Sequence, residues 1–562
     1  MGVPGYFKTL LKKNNKILDL SIENIDYFLM DYNNIIHTAY QEYIKHNDFK
    51  NKTKVKIQKE IINYIVEKTL YIVNDIIKPK NVLYIAMDGV PPRAKMEQQR
   101  LRRYKKVYTE QLKSELKKKY NIENNMYFDS NQISPGTIFM DKLSKYLKKN
   151  KSRFNVKDVI ISDTLEVGEG EHKILNYIKE NIENKSNICI YGDDADLIFL
   201  MMSLDLGNNV NIMKSQSLPE DMQYGFLDIN KISKDFCKYM EIDEIKKNKV
   251  LNDYIFLMMI FGDDFVKNIP SLNIRRSYNL LLDIYKKNYK KNGEYLTKKI
   301  KSKVYINNRF LIEIFEVLSK LEKRFLLGYQ KNMTRKNKND IEKKIDNLDN
   351  SYENEFNYLE HGYIFEEDHI LYNEYRDDFE RINYYSENWK KDYYDYFFEN
   401  SNKNELLKKN YNKFRSDICK EYMKSWKFAI QYYLCGVNDW KYYYAYRVSP
   451  FASDILTNLK YRKLDINNIN FNSSTCPYCP LQQLFIIMPP QMKKSLPKIC
   501  GKVMSNKKLK KYFPQTFKLD VVKGLKYIYS EPIFEEIDEE EIFKEMENNI
   551  QCLNSAEKER LL

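Results

Sequence analysis

The chain has 562 residues, of which 30% are charged, and its formal net charge is +15 at pH 7. No apolar run approaches the roughly 20 residues that cross a bilayer, and the eight cysteines are too scattered for a disulfide framework, so we expect a soluble protein of a reducing compartment. The basic charge, together with 47 tyrosines and 29 phenylalanines, suits a nucleic-acid partner, although an A/T-rich genome produces the same bias.

Apolar, strand-like runs alternate with helix-like segments from residue 1 to about 285, which predicts an α/β fold with a mainly parallel sheet flanked by helices. Several of these runs end in an acid. YFLMD ends at Asp31, VLYIAMD ends at Asp88, and NICIYGDDAD contains Asp194 and Asp196 at its end. Ligands of open α/β sheets bind at the carboxyl ends of the strands, so these acids are expected at a ligand site.

The remainder of the chain divides into two segments of different composition. Residues 286–405 are polar and charged without a clean period, which predicts a helical, charged insertion or linker that is partly disordered. Residues 406–562 are richer in aromatic residues, as in WKYYYAY. We expect them to form a second, mainly helical lobe packed on the first.

The acids occur in a pattern that suits metal binding. Divalent cations such as Mg²⁺ prefer oxygen ligands, and two of them about 3.5–4 Å apart can bind the attacking and leaving oxygens of a phosphodiester. A single Asp is more often a helix cap or turn residue, but repetition favours a metal site. Within GEGE and DAD the acids are two residues apart, so in extended backbone both would project to one side. IFLMMIFGDDFV, a strand or a buried helix, adds Asp263 and Asp264. We predict a site for two Mg²⁺ or Mn²⁺ ions formed by Asp31, Asp88, Glu169, Glu171, Asp194, Asp196 and Asp264.

A cationic helix face follows the strand that ends near Asp88. In DGVPPRAKMEQQRLRRYKK two prolines separate that strand from a helical stretch. Lys95, Gln99, Arg102 and Arg103 then share one face of the helix, where they could bind a terminal phosphate. The alternative is a solvated basic face, but the neighbouring acids favour a phosphate pocket.

Several stretches carry a family resemblance, in order: MGVPGYF, LMDYNNIIH, AMDGVPPRAKMEQQRLRRYKK, NQISPGTIFM, EVGEGEHKI, YGDDADLI, FGDDFVKNIPSL and YYLCGVNDWKYYYAYRVSPFASD. They resemble the Xrn family of 5′-to-3′ exoribonucleases, and the similarity covers most of the chain outside 286–405. The resemblance implies a PIN-like, flap-nuclease-like core. The long additional C-terminal domains of the cytoplasmic members are missing, so the chain resembles the catalytic core alone.

The resemblance also implies roles for individual residues. The family's metal-binding acids fall on the seven acids named above, and its 5′-phosphate pocket falls on Lys95, Gln99, Arg102 and Arg103. His37 and Trp440 would stack on bases, although an ordinary buried or surface histidine and a core tryptophan are the alternatives. Cys476 and Cys479 lack a second pair at zinc-site spacing, which favours an ordinary loop.

The resemblance thus implies an enzyme that hydrolyses single-stranded RNA with a 5′-monophosphate stepwise, releases 5′-mononucleotides and acts in RNA decay. Its expected partners are that RNA and the decapping or pyrophosphohydrolase enzymes that produce such ends. We expect a monomer without membrane association in the cytoplasm, with the nucleus as the alternative. Two other functions stay open, namely a flap endonuclease or 5′ exonuclease acting on DNA and a non-catalytic RNA-binding scaffold.

Overall fold

The computed structural model describes residues 2–47, 49, 52–122, 128–204, 207–219, 222–242, 246–344, 375–376, 382–399, 401, 403–522 and 527–562. A seven-stranded sheet organises its first half. The strands are β1 (Leu18–Asp19), β2 (Tyr27–Asp31), β3 (Val82–Ala86), β4 (Asp158–Ser162), β5 (Asn187–Tyr191), β6 (Asn209–Lys214) and β7 (Gly225–Asp228).

The strand order in this sheet is β1-β7-β6-β5-β2-β3-β4. The strands from β6 to β4 are parallel, whereas β7 and β1 add an antiparallel edge. Side chains of β2 alternate between two cores, because Leu29 faces one and both Phe28 and Met30 face the other. Burial on both faces explains why the strands are almost wholly apolar. The predicted mainly parallel sheet flanked by helices is confirmed.

The helices of the first half cover both faces of the sheet. They are α1 (Tyr6–Lys13), α2 (Tyr32–His46), α3 (Lys54–Tyr71), α4 (Arg93–Lys119), α5 (Ile138–Lys149), α6 (Gly170–Asn181), α7 (Asp196–Met202), α8 (Ile229–Met240) and α9 (Lys247–Met259). Pro92 precedes α4 as its N-cap, in agreement with the predicted break. The apolar stretch before Asp263 is the buried helix α9 and the turn that follows it.

The middle segment is folded wherever the structure describes it. It contains α10 (Ile274–Asn292), β8 (Thr297–Ile300), β9 (Lys303–Ile306), α11 (Asn308–Lys344), β10 (Tyr375–Arg376), α12 (Trp389–Phe398) and α13 (Asn404–Lys409). The boundary predicted at residue 285 falls inside α10. The side chains of Phe310, Leu311 and Phe315 are fully buried, so the start of α11 belongs to the main core. Much of the predicted disorder falls on 345–374 and 377–381, which lie outside the described residues.

The second lobe is mainly helical and rich in aromatic contacts, as predicted. Its elements are α14 (Tyr411–Cys435), α15 (Ala452–Leu456), α16 (Pro480–Ile487), α17 (Lys498–Met504), β11 (Lys518–Val522), β12 (Glu531–Ile533), α18 (Glu539–Asn548) and α19 (Ser555–Leu561). The ring of Trp426, for example, lies 4.9 Å from that of Tyr422. Among the described helices, none combines the length and apolar character needed to cross a membrane.

Helix α4 joins the two halves at both of its ends. Near its start, Met96 packs in one cluster with Leu481 and Leu484 of α16. Near its end, Leu112 and Leu116 pack in another cluster, with residues of β11. The helix that carries the predicted phosphate residues is therefore held by the second lobe along most of its length.

Candidate active site

The predicted acids lie where strands end and helices begin. Asp31 is the last residue of β2, and Asp88 follows the end of β3 by two residues. Asp194 lies between β5 and α7, and Asp196 is the first residue of α7. Because β2 pairs with both β3 and β5, these segments meet at one edge of the sheet. The chain order reverses on either side of β2, which is where open α/β sheets place their ligands.

The expectation that GEGE and DAD are extended was wrong. Glu169 is the N-cap residue of α6, Glu171 lies in the first turn of that helix, and Asp196 begins α7. The unpaired backbone N–H groups and the dipole of a helix favour negative charge at its N-terminus, which offers a reason for helices to begin within these acidic pairs. The side chains of all three acids are nevertheless buried at the site.

A glycine between the two glutamates lets α6 approach the strands. A Cβ atom at Gly170 would lie 2.9 Å from the carbonyl oxygen of Ala86 and 3.0 Å from Oδ1 of Asp31. The backbone N–H of Gly170 donates a hydrogen bond of 2.8 Å to Oδ1 of Asp88. A side chain at this position would therefore push the helix start away from two of the acids.

Lys95 lies among the carboxylates. Its Nζ is 2.9 Å from Oε1 of Glu169, 2.7 Å from Oδ2 of Asp264 and 3.8 Å from Oδ2 of Asp196. Its side chain is only 10% exposed. One ammonium thus contacts acids from α6, from α7 and from the loop after α9, which shows that these distant segments converge on one point.

Two further side chains orient individual acids. Asn33 Nδ2 donates to Oδ2 of Asp88 at 2.6 Å, and Gln98 Nε2 donates to Oδ1 of Asp264 at 2.6 Å. The neighbouring Asp263 has a different role, because its Oδ1 accepts the backbone N–H groups of the two residues after Asp264. The pair of adjacent aspartates therefore divides into one that shapes the loop and one that faces the site.

The acids strongly perturb one another. Burial, followed by the charges of Asp88 and Asp194, raises the pKa of Asp31 well above its usual range. Burial and the charge of Asp264 raise the pKa of Asp196 to about 7. Burial likewise raises the pKa of Glu171, although the Lys95 ammonium opposes it. A cluster of this kind lowers its free energy by binding protons or cations.

The donor set fits a divalent cation. The predicted ligands are all carboxylates, the oxygen donors that Mg²⁺ and Mn²⁺ prefer. Glu169, Glu171 and His172 each offer a ligand atom within 4.8 Å of the others. Within the described residues, the buried Oε1 of Glu171 has no hydrogen-bond partner. The roles of the seven acids as metal ligands stay a prediction that this geometry supports.

The predicted phosphate residues differ in their surroundings. Gln99 is buried and its Oε1 accepts a hydrogen bond of 3.3 Å from Gln483 of α16. Arg103 is buried and donates to the carbonyl oxygen of Asn131 at 3.1 Å, whereas Arg102 is exposed. In the described part of the chain, the Arg103 Nε has no hydrogen-bond partner. Lys95, predicted with them, instead contacts the acids, so it lies at the junction of the two groups.

His37 lies beside this basic face. It belongs to α2 and is half-buried. Burial, followed by the charges of Arg102, Arg103 and Lys106, lowers the pKa of His37 to about 3. The imidazole is therefore neutral at physiological pH, a state in which it can stack on a base without adding to the positive charge. Its base-stacking role stays a prediction.

Trp440 lies on another side of the site. It lines a cavity of roughly 680 Å³ together with Pro92, Glu169 and His172. The described lining of this cavity includes Trp440 but none of Gln99, Arg102 and Arg103. The carbonyl oxygen of Trp440 accepts the backbone N–H of Arg93 at 2.9 Å, which fixes the tryptophan to the start of α4. Its role in stacking is also untested.

Sequence analysis missed several residues that contact the acids. Tyr432 and Tyr433, at the end of α14, donate to Glu169 and to Asp196. Asn33 follows Asp31 by two residues and Gln98 precedes Gln99, and helical spacing from Lys95 could have pointed to Gln98. The tyrosines carried no local signal except their place in the YYLCGVNDW stretch.

The two closely spaced cysteines lie at the start of α16 and just before it. Cys476 is exposed, and Cys479 is the N-cap residue of α16. All eight cysteines are free thiols. Neither cysteine belongs to a group of three metal-binding side chains among the residues that the structure describes. Whether the pair binds metal is untested.

Comparisons with known proteins agree with this arrangement. The family model described as the XRN 5'-3' exonuclease N-terminus matches residues 1–216, and the Xrn1 helical domain model matches residues 244–367 and 330–561. The 5'-3' exoribonuclease 1 of Saccharomyces cerevisiae is 25% identical over 698 residues, which cover 100% of this chain and 44% of that protein. The 5'-3' exoribonuclease 1 of Homo sapiens is 26% identical, over 100% of this chain and 35% of its own length.

The 5'-3' exoribonuclease 2 homolog of Drosophila melanogaster is 25% identical over 97% of this chain and 70% of that protein. The chain therefore spans less than half the length of the yeast and human relatives. The helical-domain model alone covers more than half of the chain, and the N-terminal model covers six of the seven strands of the sheet and every predicted acid except Asp264. On this evidence the chain belongs to the Xrn family.

Proposed function

We propose that the chain is a 5′-to-3′ exoribonuclease that hydrolyses single-stranded RNA with a 5′-monophosphate and releases 5′-mononucleotides one at a time. One observation carries this proposal. A buried cluster of carboxylates lies directly beside a helix face that bears Gln99, Arg102 and Arg103, and Lys95 joins the two. Relatives from yeast, fly and human that are named 5'-3' exoribonucleases support the direction of attack.

The carboxylates would hold two Mg²⁺ or Mn²⁺ ions, through Asp31, Asp88, Glu169, Glu171, Asp194, Asp196 and Asp264. When bound, such ions activate water and stabilise negative charge on a phosphodiester. The protein's own part is to fix the oxygens. Asn33 and the Gly170 N–H hold Asp88, and Gln98 holds Asp264.

The 5′ end would bind on the helix face. Arg103 donates to the carbonyl oxygen of Asn131, its Nε–H has no partner among the described residues, and Arg102 would supply a second, exposed cation. Arg residues bind phosphate through charge-assisted hydrogen bonds. A pocket on this face that fits a single phosphate would reject capped and triphosphate ends, so enzymes that remove caps or pyrophosphate would act first.

Stacking would hold the first bases. His37 is neutral beside the basic face, and Trp440 lines the cavity next to Glu169. Aromatic stacking contributes about 1–3 kcal/mol per base and tolerates any sequence. Tolerance of any sequence suits general RNA decay. We also propose that the enzyme is a monomer and acts in the cytoplasm, with the nucleus as the alternative.

The test compares RNAs of one sequence that carry a 5′-monophosphate, triphosphate, cap or hydroxyl, in the presence of Mg²⁺. Rapid decay of the monophosphate RNA alone is expected. Arg102→Ala should raise the KM for this RNA, whereas Arg153→Ala, which removes an exposed ion pair with Glu67, should not. Equal decay of all four RNAs would contradict the phosphate assignment.

Two further arms separate the rival functions. Single-stranded DNA of the same sequence and a DNA flap should be cleaved far more slowly than the RNA, and preference for DNA would favour a flap-type nuclease. The double variant Asp194→Ala, Asp196→Ala should bind RNA without cleaving it. Cleavage that persists in this variant would show that the acids do not form the active site.

A further inference from the structure

Two consecutive tyrosines of the second lobe reach into the acid cluster of the first. The hydroxyl of Tyr432 donates a hydrogen bond to Oε2 of Glu169. The hydroxyl of Tyr433 donates to Oδ1 of Asp196 at 2.8 Å. Both tyrosines are almost fully buried, with 2% and 1% of their surfaces exposed. Neither contact follows from the established family match, and neither side chain belongs to the predicted ligand set.

The helix geometry explains how neighbouring residues reach different acids. Consecutive side chains of an α-helix project about 100° apart. The ring centroids of Tyr432 and Tyr433 lie 5.8 Å apart, and the two ring planes meet at 88°. One hydroxyl therefore meets the N-cap of α6 and the other meets the first turn of α7.

The rings themselves are firmly held. The ring of Tyr432 lies 3.9 Å from that of His172 and meets Phe265 edge-on at 4.7 Å. His172 Nε2 also lies 3.0 Å from the carbonyl oxygen of Tyr432. The ring of Tyr433 meets Phe199 of α7 edge-on. Packing of this kind fixes the position of each hydroxyl, and therefore of the carboxylate oxygen that it contacts.

Both phenols remain donors. Burial, followed by the nearby carboxylates, raises the pKa of each phenol well above its usual range. Each phenol therefore stays protonated and donates a hydrogen bond to a carboxylate. The other oxygen of each acid points to the centre of the cluster, since Oε1 of Glu169 lies 2.9 Å and Oδ2 of Asp196 lies 3.8 Å from the Lys95 ammonium.

We infer that Tyr432 and Tyr433 are positioning residues for the metal site. Each phenol binds one oxygen of an acid and orients the other oxygen toward the Lys95 ammonium, where a divalent cation would also bind. The inference rests on the proposed function, because it concerns the affinity of the site for a divalent cation. It also makes the second lobe a determinant of that affinity, although the predicted ligands all lie in the first.

The test measures binding of Mn²⁺ alone to the full chain by electron paramagnetic resonance, without RNA. Tyr432→Phe and Tyr433→Phe are made separately, and each removes one oxygen atom and leaves the ring. Loss of a hydrogen bond that orients a ligand typically lowers metal affinity 10–100-fold, which is the loss expected for each. At low Mn²⁺ kcat should fall with little change in the KM for RNA, and higher Mn²⁺ should restore it.

Tyr394→Phe is the matched control. Its hydroxyl donates to Oδ2 of Asp454 at 2.8 Å, and both residues are buried, Tyr394 in α12 of the middle segment and Asp454 in α15 of the second lobe. The described hydrogen bonds of these two residues include none of the seven acids. This variant loses the same type of hydrogen bond and should bind Mn²⁺ as the unchanged chain does. Any general cost of removing a buried phenol hydroxyl is measured by its thermal midpoint.

The outcomes distinguish failure of the proposed metal site from failure of the positioning role. If the unchanged chain binds no Mn²⁺, the proposed metal site is wrong. If it binds Mn²⁺ and both site variants bind equally well, the positioning role is overturned and the proposed function stands. If one variant fails to fold, the other decides the question by its affinity. If both fail to fold while Tyr394→Phe folds and binds, the phenols support the fold and the inference is wrong.

Discussion

Replacing Lys95 by methionine tests whether its ammonium neutralises the acid cluster. The Lys95 ammonium lies 2.9 Å from Glu169 and 2.7 Å from Asp264, and its side chain is only 10% exposed. Methionine keeps much of the apolar stem and removes the charge. Without a bound cation, the carboxylates are then left buried without their nearest positive partner.

The magnitude follows from the burial. Removing one partner of a buried ion pair usually costs about 3–5 kcal/mol of the free energy of unfolding, because the other charge stays buried. The acids can reduce this cost by binding protons, since burial and the charge of Asp264 already raise the pKa of Asp196 to about 7. We therefore expect about 3 kcal/mol at pH 7 in EDTA, and a smaller loss as the pH is lowered.

Mn²⁺ should reverse the loss. A ligand that binds only the folded chain stabilises it by about 2.7 kcal/mol at one hundred times its Kd. The cation and the Lys95 ammonium compete for the same oxygens, so the variant should gain more from Mn²⁺ than the unchanged chain. Thermal midpoints in EDTA and over a Mn²⁺ series measure both effects.

Lys106→Met is the control on the same helix. Lys106 pairs with Asp129 at 2.9 Å, but its side chain is 30% exposed, so its loss should cost less than about 1 kcal/mol and should not depend on Mn²⁺. The reasoning is refuted if Lys95→Met is as stable as the unchanged chain in EDTA, or if Mn²⁺ stabilises both equally.

Three further predictions concern the site. Gly170→Ala should abolish most cleavage and cost about 1–3 kcal/mol of stability, because its Cβ would lie 2.9 Å from a carbonyl oxygen and 3.0 Å from Asp31; activity and thermal midpoint measure this. Burial lowers the pKa of His172 to about 4, so between pH 4 and about 6.5 this residue binds a proton in the unfolded chain but not in the folded one. Its own contribution to stability in EDTA should therefore decrease by up to about 3 kcal/mol as the pH falls, and the slope of stability against pH should differ by that amount between the unchanged chain and His172→Gln. EDTA should stop cleavage of RNA but not its binding, which filter retention measures.

The two substitutions among these predictions each have a matched control. Gly328→Ala, where the added Cβ meets no atom within 4 Å, should leave activity unchanged and stability equal or slightly higher. His46→Gln, at an exposed position near the end of α2, should leave the slope of stability against pH between about pH 4 and 6.5 unchanged. Wild-type activity in Gly170→Ala, an unchanged slope in His172→Gln, or cleavage in EDTA would each contradict the corresponding argument.

Sequence alone predicted the features that depend on local patterns. Asp31 and Asp88 follow apolar, β-rich runs, and parallel strands place such ends at one edge of the sheet. Gln99 and Arg103 share a helix face by spacing alone, and the structure places Arg103 near His37. Short-range periodicity is sufficient for these assignments because each depends on neighbours within one element.

The remaining features depend on contacts between distant segments. Tyr433 lies 237 residues after Asp196, and from sequence a pair of tyrosines in a helix predicts only packing in the core, not contact with an acid. The assumption of extended backbone in GEGE failed because α6 begins at Gly170, whose backbone N–H donates to the distant Asp88. Lys95 was grouped with the phosphate residues by helical spacing, which could not show that the acids surround its ammonium.

The long helix α4 limits how this protein can be dissected. Its start packs on α16 and its end packs on β11, while its face carries Lys95 and the phosphate residues. Separating the first 285 residues would expose Met96, Leu112 and Leu116 and would remove both tyrosines from the acids. The catalytic unit therefore cannot be shortened to its sheet. Any engineered fragment or split version must keep the second lobe packed against α4.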